Sequence, residues 1–234
     1  MQLPFFYEPT LTNNASLFTL SADSFKHSVL VLRMKVNDAM HLTNGMGLLC
    51  RAILVSADKK HAIVQIQSFQ FFPKNEIVAS IGISLLKNAT RLEWFLEKAT
   101  ELGIHNIYLL QCSRTEKQHF RFDRLNGIIV AAMLQSQQTW LPILHEPQTV
   151  DNLINQEPYN NKFIAHCEVA NKLYLQQIAI KESTLVLIGP EGDFTPAEIE
   201  IAQANGFKDI SLGNTRLRTE TAGVVAATFL ALNR

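Results

Sequence analysis

The sequence predicts an α/β protein, with a mostly parallel sheet covered by helices over the last two thirds of the chain and a small all-β unit before it. Three observations carry this. From residue 77 onward, short apolar runs alternate with amphipathic stretches. Glycines fall where several of those runs stop, as at Gly189 and Gly213. The first seventy residues instead show strand-like runs joined by tight turns.

Taken in order, residues 22–32 read as a short helix, with Phe25, Val29 and Leu32 at helical spacing and Asp23 in the first turn. Residues 39–43, 48–55 and 62–69 then read as strands. Asn44-Gly45-Met46-Gly47 is a strong hairpin signal between the first two, and residues 57–60 form the next polar turn. Such a unit is a small β barrel or curled sheet. The polar, proline-marked Pro73-Lys74-Asn75-Glu76 sets a boundary, giving domains over 1–72 and 76–234.

Beyond it, residues 77–85 predict a strand, and Thr90-Arg91-Leu92-Glu93 a capping box for a helix striped by Leu92, Phe95, Leu96, Ala99 and Leu102 and ended by Gly103. Residues 104–110 are the next strand. Asp123 caps a helix through Leu125, Ile128, Ile129, Ala132 and Met133 to about residue 138. Residues 162–167 read as a strand and 173–180 as a helix. The apolar run 185–188 stops at Gly189-Pro190-Glu191-Gly192, and Thr195-Pro196-Ala197-Glu198 opens a helix with a capping box and a proline in its first turn. The same plan repeats, with a strand over 209–212, a break at Gly213 and a helix from Thr219 or Thr221 to Leu232. Paired loops at strand ends suit a nucleotide-like ligand.

Composition narrows the class. Of 234 residues 47% are hydrophobic, ample for a core, and the longest nearly apolar run, 222–232, is too short for a membrane span. No secretory signal pattern opens the chain. Cys50, Cys112 and Cys167 are isolated thiols without Cys-x-x-Cys, which suits a reducing cytoplasm and argues against a zinc site; the histidines lack metal-ligand spacing. There is no Gly-x-Gly-x-x-Gly after a strand and no Gly-x4-Gly-Lys-Ser/Thr, so dinucleotide and P-loop chemistry are disfavoured. Net charge is zero, with 21 basic and 21 acidic residues, so any nucleic-acid surface is a local patch. The best one spans 114–124, where Arg114, Lys117, Arg121 and Arg124 are interleaved with His119, Phe120 and Phe122. A solvated loop with core phenylalanines fits the same residues.

Ile188-Gly189-Pro190-Glu191-Gly192-Asp193-Phe194, then Leu212-Gly213, then Leu217-Arg218-Thr219-Glu220-Thr221-Ala222 resemble the RsmE family of 16S rRNA uridine N3-methyltransferases, of the SPOUT class. Lys98-Ala99-Thr100-Glu101-Leu102-Gly103 and His27 with Val31-Leu32-Arg33 match it further, so the resemblance covers essentially the whole chain. It implies a PUA-like barrel followed by a SPOUT-type parallel sheet with a trefoil knot. It also implies S-adenosyl-L-methionine as cofactor, 16S rRNA of the small ribosomal subunit as partner, a homodimer and a cytoplasmic location. The implied cofactor loops hold His166, Cys167 and Glu168; Ile188, Gly189, Pro190, Glu191 and Gly192; and Leu212, Gly213, Leu217 and Thr219.

Uridine N3 starts protonated, so a base, or a cation favouring the anionic ring, should help methyl transfer. Arg218 and Glu220 are the catalytic candidates, and a structural salt bridge of Arg218 with Glu220 or Glu191 is the equal alternative. Candidate RNA contacts are His27, Arg33, Lys87, Arg91, Arg114, Lys117 and Arg121; His27 and Arg33 read by themselves as surface helix residues. The chain departs from the family pattern at Ala131-Ala132, at Gln138 where Arg is usual, and at Asp193 in place of a second glycine. Another RNA position, ribose 2′-oxygen, or a non-catalytic RNA-binding role are the other readings.

Overall fold

Apolar side chains at every second position build the first unit. Leu48, Cys50, Ala52 and Leu54 on one strand, Met40 and Leu42 on its neighbour, and Ala62 and Val64 on the next share one buried cluster with Phe6, Leu20 and Phe25. In the computed structural model, which describes residues 3–116, 121–156, 158–168 and 171–233, these strands are β1 (Phe5–Tyr7), β2 (Leu17–Thr19), β3 (Ala39–Thr43), β4 (Leu48–Ala57) and β5 (Ala62–Phe71). Their order is β1-β3-β4-β5-β2, with β1 parallel to β3 and the other neighbours antiparallel. The hairpin expected at 44–47 joins β3 to β4. Gly47 sits at φ +88°, and a Cβ there would lie 2.6 Å from the Phe72 carbonyl oxygen, so the turn needs glycine.

The helix expected over 22–32 takes a different form. One α turn, α1 (Ala22–Phe25), capped by the Ser21 hydroxyl, passes into a π-helical stretch, Lys26–Val31. The Ser28 hydroxyl donates to the Ser24 carbonyl at 2.6 Å, occupying the acceptor that an α-helix would offer to the Ser28 amide.

The first unit comprises Met1–Lys74 and Met133–Leu141; the second comprises Asn75–Ala132 and Pro142–Arg234. The segment 133–141, which the sequence reading put in the second domain, docks on the hairpin: the Gly47 amide donates to the Thr139 carbonyl, the Leu141 amide to the Gly45 carbonyl, and Trp140 Nε1 to the Phe72 carbonyl at 2.9 Å.

Beyond residue 74 the chain runs β6 (Ala79–Ser84), α2 (Ala89–Glu101), β7 (Asn106–Gln111), α3 (Phe122–Gln135), β8 (Ile143–Thr149), α4 (Val150–Gln156), β9 (Asn161–Ala165), β10 (Leu173–Tyr174), β11 (Thr184–Ile188), α5 (Pro196–Ala204), β12 (Lys208–Ser211) and α6 (Thr219–Leu232). The sheet order is β10-β12-β9-β11-β6-β7-β8, and every pairing is parallel. Helices cover both faces. Leu185 and Leu187 of β11 and Tyr108 and Leu110 of β7 join the α4 and α5 side chains Leu153, Ile154, Ile199 and Ala202 in one cluster. Alternation turns Ile81 and Ile83 of β6 the other way, where Gly223 of α6 packs on Ile83 and on Phe95 of α2. β6 and β11 are buried at every residue, as central parallel strands are.

Two expectations are corrected. The α2 cap is Asn88, whose side chain accepts the Thr90 amide at 3.0 Å, and Glu93 pairs with Arg124 instead of closing a box. Residues 173–180 form no α-helix: β10 is followed by a 3₁₀ turn, Leu175–Gln177. Asn233 Nδ2 donates to the carbonyls of Leu175, Gln176 and Ile178, and the Ile180 amide donates to the Asn233 carbonyl, so the tail after α6 supplies partners that a helix would find within itself. Among the described residues no helix is long and apolar enough to cross a membrane.

Candidate active site

Parallel strands send their following loops out at one edge of the sheet. The loops after β9, β11 and β12, with the start of α6, enclose a cavity of about 600 Å³. Each wall has a local reason for its shape.

After β11, the Asp193 amide closes a turn on the Pro190 carbonyl at 2.9 Å, and Phe194 plunges fully buried into the core. A Cβ on Gly189 would stand 3.0 Å from the Phe194 ring, so glycine lets the loop fold over it. The expected capping box holds: Thr195 caps α5 and Glu198 Oε2 accepts the Thr195 amide at 2.8 Å. Glu198 Oε1 accepts the Ser113 amide at 2.8 Å. Burial pushes the Glu198 carboxyl up, but the hydrogen bonds from Thr195 and Ser113 together outweigh it and hold it below the ordinary glutamate value. Arg114 Nη1 donates to the carbonyls of Gly192 at 2.7 Å and Phe194 at 3.3 Å.

After β9, Lys172 Nζ donates to the His166 carbonyl, and the Cys167 amide donates to Asp193 Oδ2 at 2.7 Å. The His166 ring is buried, with Asp209 Oδ1 3.1 Å from Nε2, and neither ring nitrogen makes a hydrogen bond. Gln203 Nε2 donates to both Asp209 oxygens. After β12, the Ser211 hydroxyl and the Gly213 backbone bond each other to open the last loop.

Of the residues singled out by sequence, His166, Cys167, Ile188, Gly189, Pro190, Glu191, Leu212, Gly213, Leu217, Arg218 and Thr219 all line this cavity. Glu168 and Gly192 are outside its lining. Glu220 is also outside; it is buried and 3.6 Å from Arg91 Nε. Lys172, Asn214 and Arg216 line the cavity without having been singled out, Asn214 and Arg216 signalled only by lying between Gly213 and Leu217; Asp193, read from sequence as a departure from a glycine pattern, lines it too. Among the candidate RNA contacts, Lys87 pairs with Glu116 at 3.0 Å, Arg114 holds the loop carbonyls, and Arg121 is exposed just before α3. His27 is exposed with its ring edge-on to Phe6, and Arg33 is exposed at φ 55°. Lys117, with His119 and Phe120, lies outside the described residues. Cys50 and Cys112 are buried, which pushes both thiols up to about 12 and leaves them unreactive. Among the described residues no three His, Cys, Asp or Glu side chains group to hold a metal ion.

A parallel sheet with a cavity built from loops at the carboxyl ends of adjoining strands defines a small-molecule-binding α/β domain. Comparison with known proteins makes the class specific. The RNA methyltransferase domain family matches residues 73–231, and the RNA methyltransferase PUA domain family matches residues 20–67. The chain belongs to this RNA methyltransferase family. A probable rRNA-methyltransferase from Porphyromonas gingivalis is 33% identical, with a TM-score of 0.90 over 99% of this chain and 100% of that one. A ribosomal RNA small subunit methyltransferase E from Neisseria gonorrhoeae, solved bound to S-adenosyl methionine, is 27% identical, with a TM-score of 0.86 over 97% and 95%. The ribosomal RNA small subunit methyltransferase E of Rickettsia conorii is 28% identical over 90% of this chain and 88% of its own. The resemblance read from the glycine loops is borne out, as are the parallel sheet and the PUA-like first domain.

Proposed function

We propose that this protein methylates small-subunit ribosomal RNA, taking the methyl group of S-adenosyl-L-methionine to N3 of a uridine. The observation that carries the reading is the cavity at the ends of β9, β11 and β12, in a chain whose RNA methyltransferase match spans residues 73–231. The cavity fits the cofactor in size and chemistry: about 600 Å³, with Ile188, Leu212, Leu217 and Ala222 as apolar wall and a loop backbone opened by Gly189 and Gly213. When bound there, the cofactor supplies a methyl already activated on sulfonium.

The chain's own work is alignment and charge. Residues 166–167, 188–191 and 212–219, which line the cavity, would hold the adenosyl and methionyl parts. N3 must give up its proton to solvent before its lone pair can accept a methyl, with S-adenosylhomocysteine as the by-product, and Arg218, exposed at the cavity, favours the anionic ring. Glu220, outside the cavity and paired with Arg91, takes no direct part. His27, Arg33, Lys87, Arg91, Arg114, Lys117 and Arg121 are the proposed RNA contacts. The same reading includes a trefoil-knotted threading of the site loops, a homodimer and action in the cytoplasm.

Calorimetric titration with S-adenosylmethionine, followed by transfer to small-subunit rRNA and nucleoside mass spectrometry, tests this. Saturable binding and 3-methyluridine are expected. A methyl on another base or on ribose would overturn the N3 assignment, and a folded protein that binds no cofactor would overturn the enzyme reading.

A further inference from the structure

Asp193 holds φ 64°, in the left-handed region that costs most side chains and that Asp and Asn tolerate best. In that conformation its carboxylate serves two backbone amides at once. Oδ1 accepts from Phe194 at 2.8 Å, and Oδ2 accepts from Cys167 at 2.7 Å. The second bond joins the loops that follow two paired strands, β11 and β9, and both Asp193 and Cys167 line the cavity. Arg114 meanwhile holds the carbonyls of Gly192 and Phe194, so residues 192–194 are gripped on both sides of Asp193 as well as by it. Charge-assisted bonds to amides are the stronger kind, and this one fixes the spacing of two walls.

We propose that Asp193 is a positioning residue for cofactor binding: its carboxylate latches the loop after β11 to the loop after β9 and presets the opening that S-adenosylmethionine occupies. The latch rests on the cofactor reading above. Acting through the backbone of Cys167, it raises affinity for the adenosyl ligand as a whole and does not distinguish a sulfonium from a thioether.

The test is calorimetric titration of wild type, Asp193→Gly and Asp193→Asn with S-adenosylmethionine and with S-adenosylhomocysteine. Glycine keeps the backbone conformation and removes both bonds; asparagine keeps the conformation and one acceptor oxygen. Glycine should weaken both ligands by the same factor, roughly tenfold, and asparagine by about threefold, with the loss appearing in the KM for the cofactor more than in kcat. Thermal unfolding checks folding, and the asparagine variant carries the comparison if the glycine variant does not fold. Unchanged affinity in a folded variant overturns the latch. So does a loss confined to the sulfonium ligand, which would assign Asp193 a direct charge contact. A wild-type protein that binds neither ligand overturns the cofactor reading itself, and the latch with it.

Discussion

Arg91 Nε lies 3.6 Å from Glu220 Oε1, while the other oxygen of that carboxylate, Oε2, is buried without a hydrogen-bond partner. Arg91 is on α2 and Glu220 in the first turn of α6, and the two helices pack together. The N-terminal end of a helix favours a negative charge, but a carboxylate only 8% exposed still needs a cation close by. Arg91→Ala should therefore cost about 2 kcal/mol, read as a lower Tm. Adding Glu220→Gln to that variant should recover part of the loss. If the double variant melts below the single one, the pair is not what holds this junction.

Gly223 sits at the same junction from the packing side. A Cβ there would stand 2.6 Å from Phe95 Cε2 and 3.0 Å from Ile83 Cδ1, and both side chains are fully buried. Alanine gains about 1 kcal/mol of helix propensity over glycine, but overpacking costs about 1–3 kcal/mol. Gly223→Ala should thus be destabilising by about 1 kcal/mol in denaturant titration, and a second change, Phe95→Leu, should restore some of it. A more stable Gly223→Ala would mean that α6 can move away from the sheet freely.

What the sequence made legible here was local. The loop after β11 could be read because an apolar run, two glycines and a capping box with both members inside four residues follow one another. Capping at Asn88 was missed because Asn88 and Thr90 are both good caps, and only the pairing of Glu93 with Arg124 separates them. The false helix over 173–180 has apolar residues at helical spacing, and the tail residue that satisfies its carbonyls, Asn233, is more than fifty positions away. The docking of 133–141 on the hairpin is long-range in the same way. β8 and α4 were missed because the edge strand Ile143–Thr149 mixes polar and apolar residues without a period. In the site, Asp193 read as a departure from a glycine pattern; its use depends on Cys167, which only the fold brings near.

Glu198 gives the site a pH dependence whose direction follows from its bonds. Its carboxyl is held below the ordinary value of 4.5 in the folded protein, so near that pH the unfolded chain binds more protons than the native state. The stabilisation is therefore present at neutral pH and is lost as pH falls through the depressed folded value. Glu198→Gln should cost about 1–2 kcal/mol at pH 7, because the Ser113 and Thr195 amides lose a charged acceptor, and its stability should fall less steeply below pH 4.5 than that of wild type. Parallel acid limbs in urea titrations of the two proteins would show that Glu198 is not the group responsible.

Arg218 offers the cleanest separation of chemistry from binding. It precedes α6 with extended dihedrals, φ −71° and ψ 156°, and its side chain is exposed at the cavity while its carbonyl accepts the Ala222 amide at 2.7 Å. Removing the side chain leaves that backbone bond, and with it the first turn of the helix, in place. A cation whose work is to favour an anionic uracil matters most when the proton has left N3, and little when the cofactor alone binds. Arg218→Ala should accordingly lower kcat by about a hundredfold while the Kd for S-adenosylmethionine stays within about threefold, and Arg218→Lys should restore part of the rate. Equal losses in kcat and in cofactor affinity would assign Arg218 to holding the cofactor loop, and the charge on the uracil ring would then need another source.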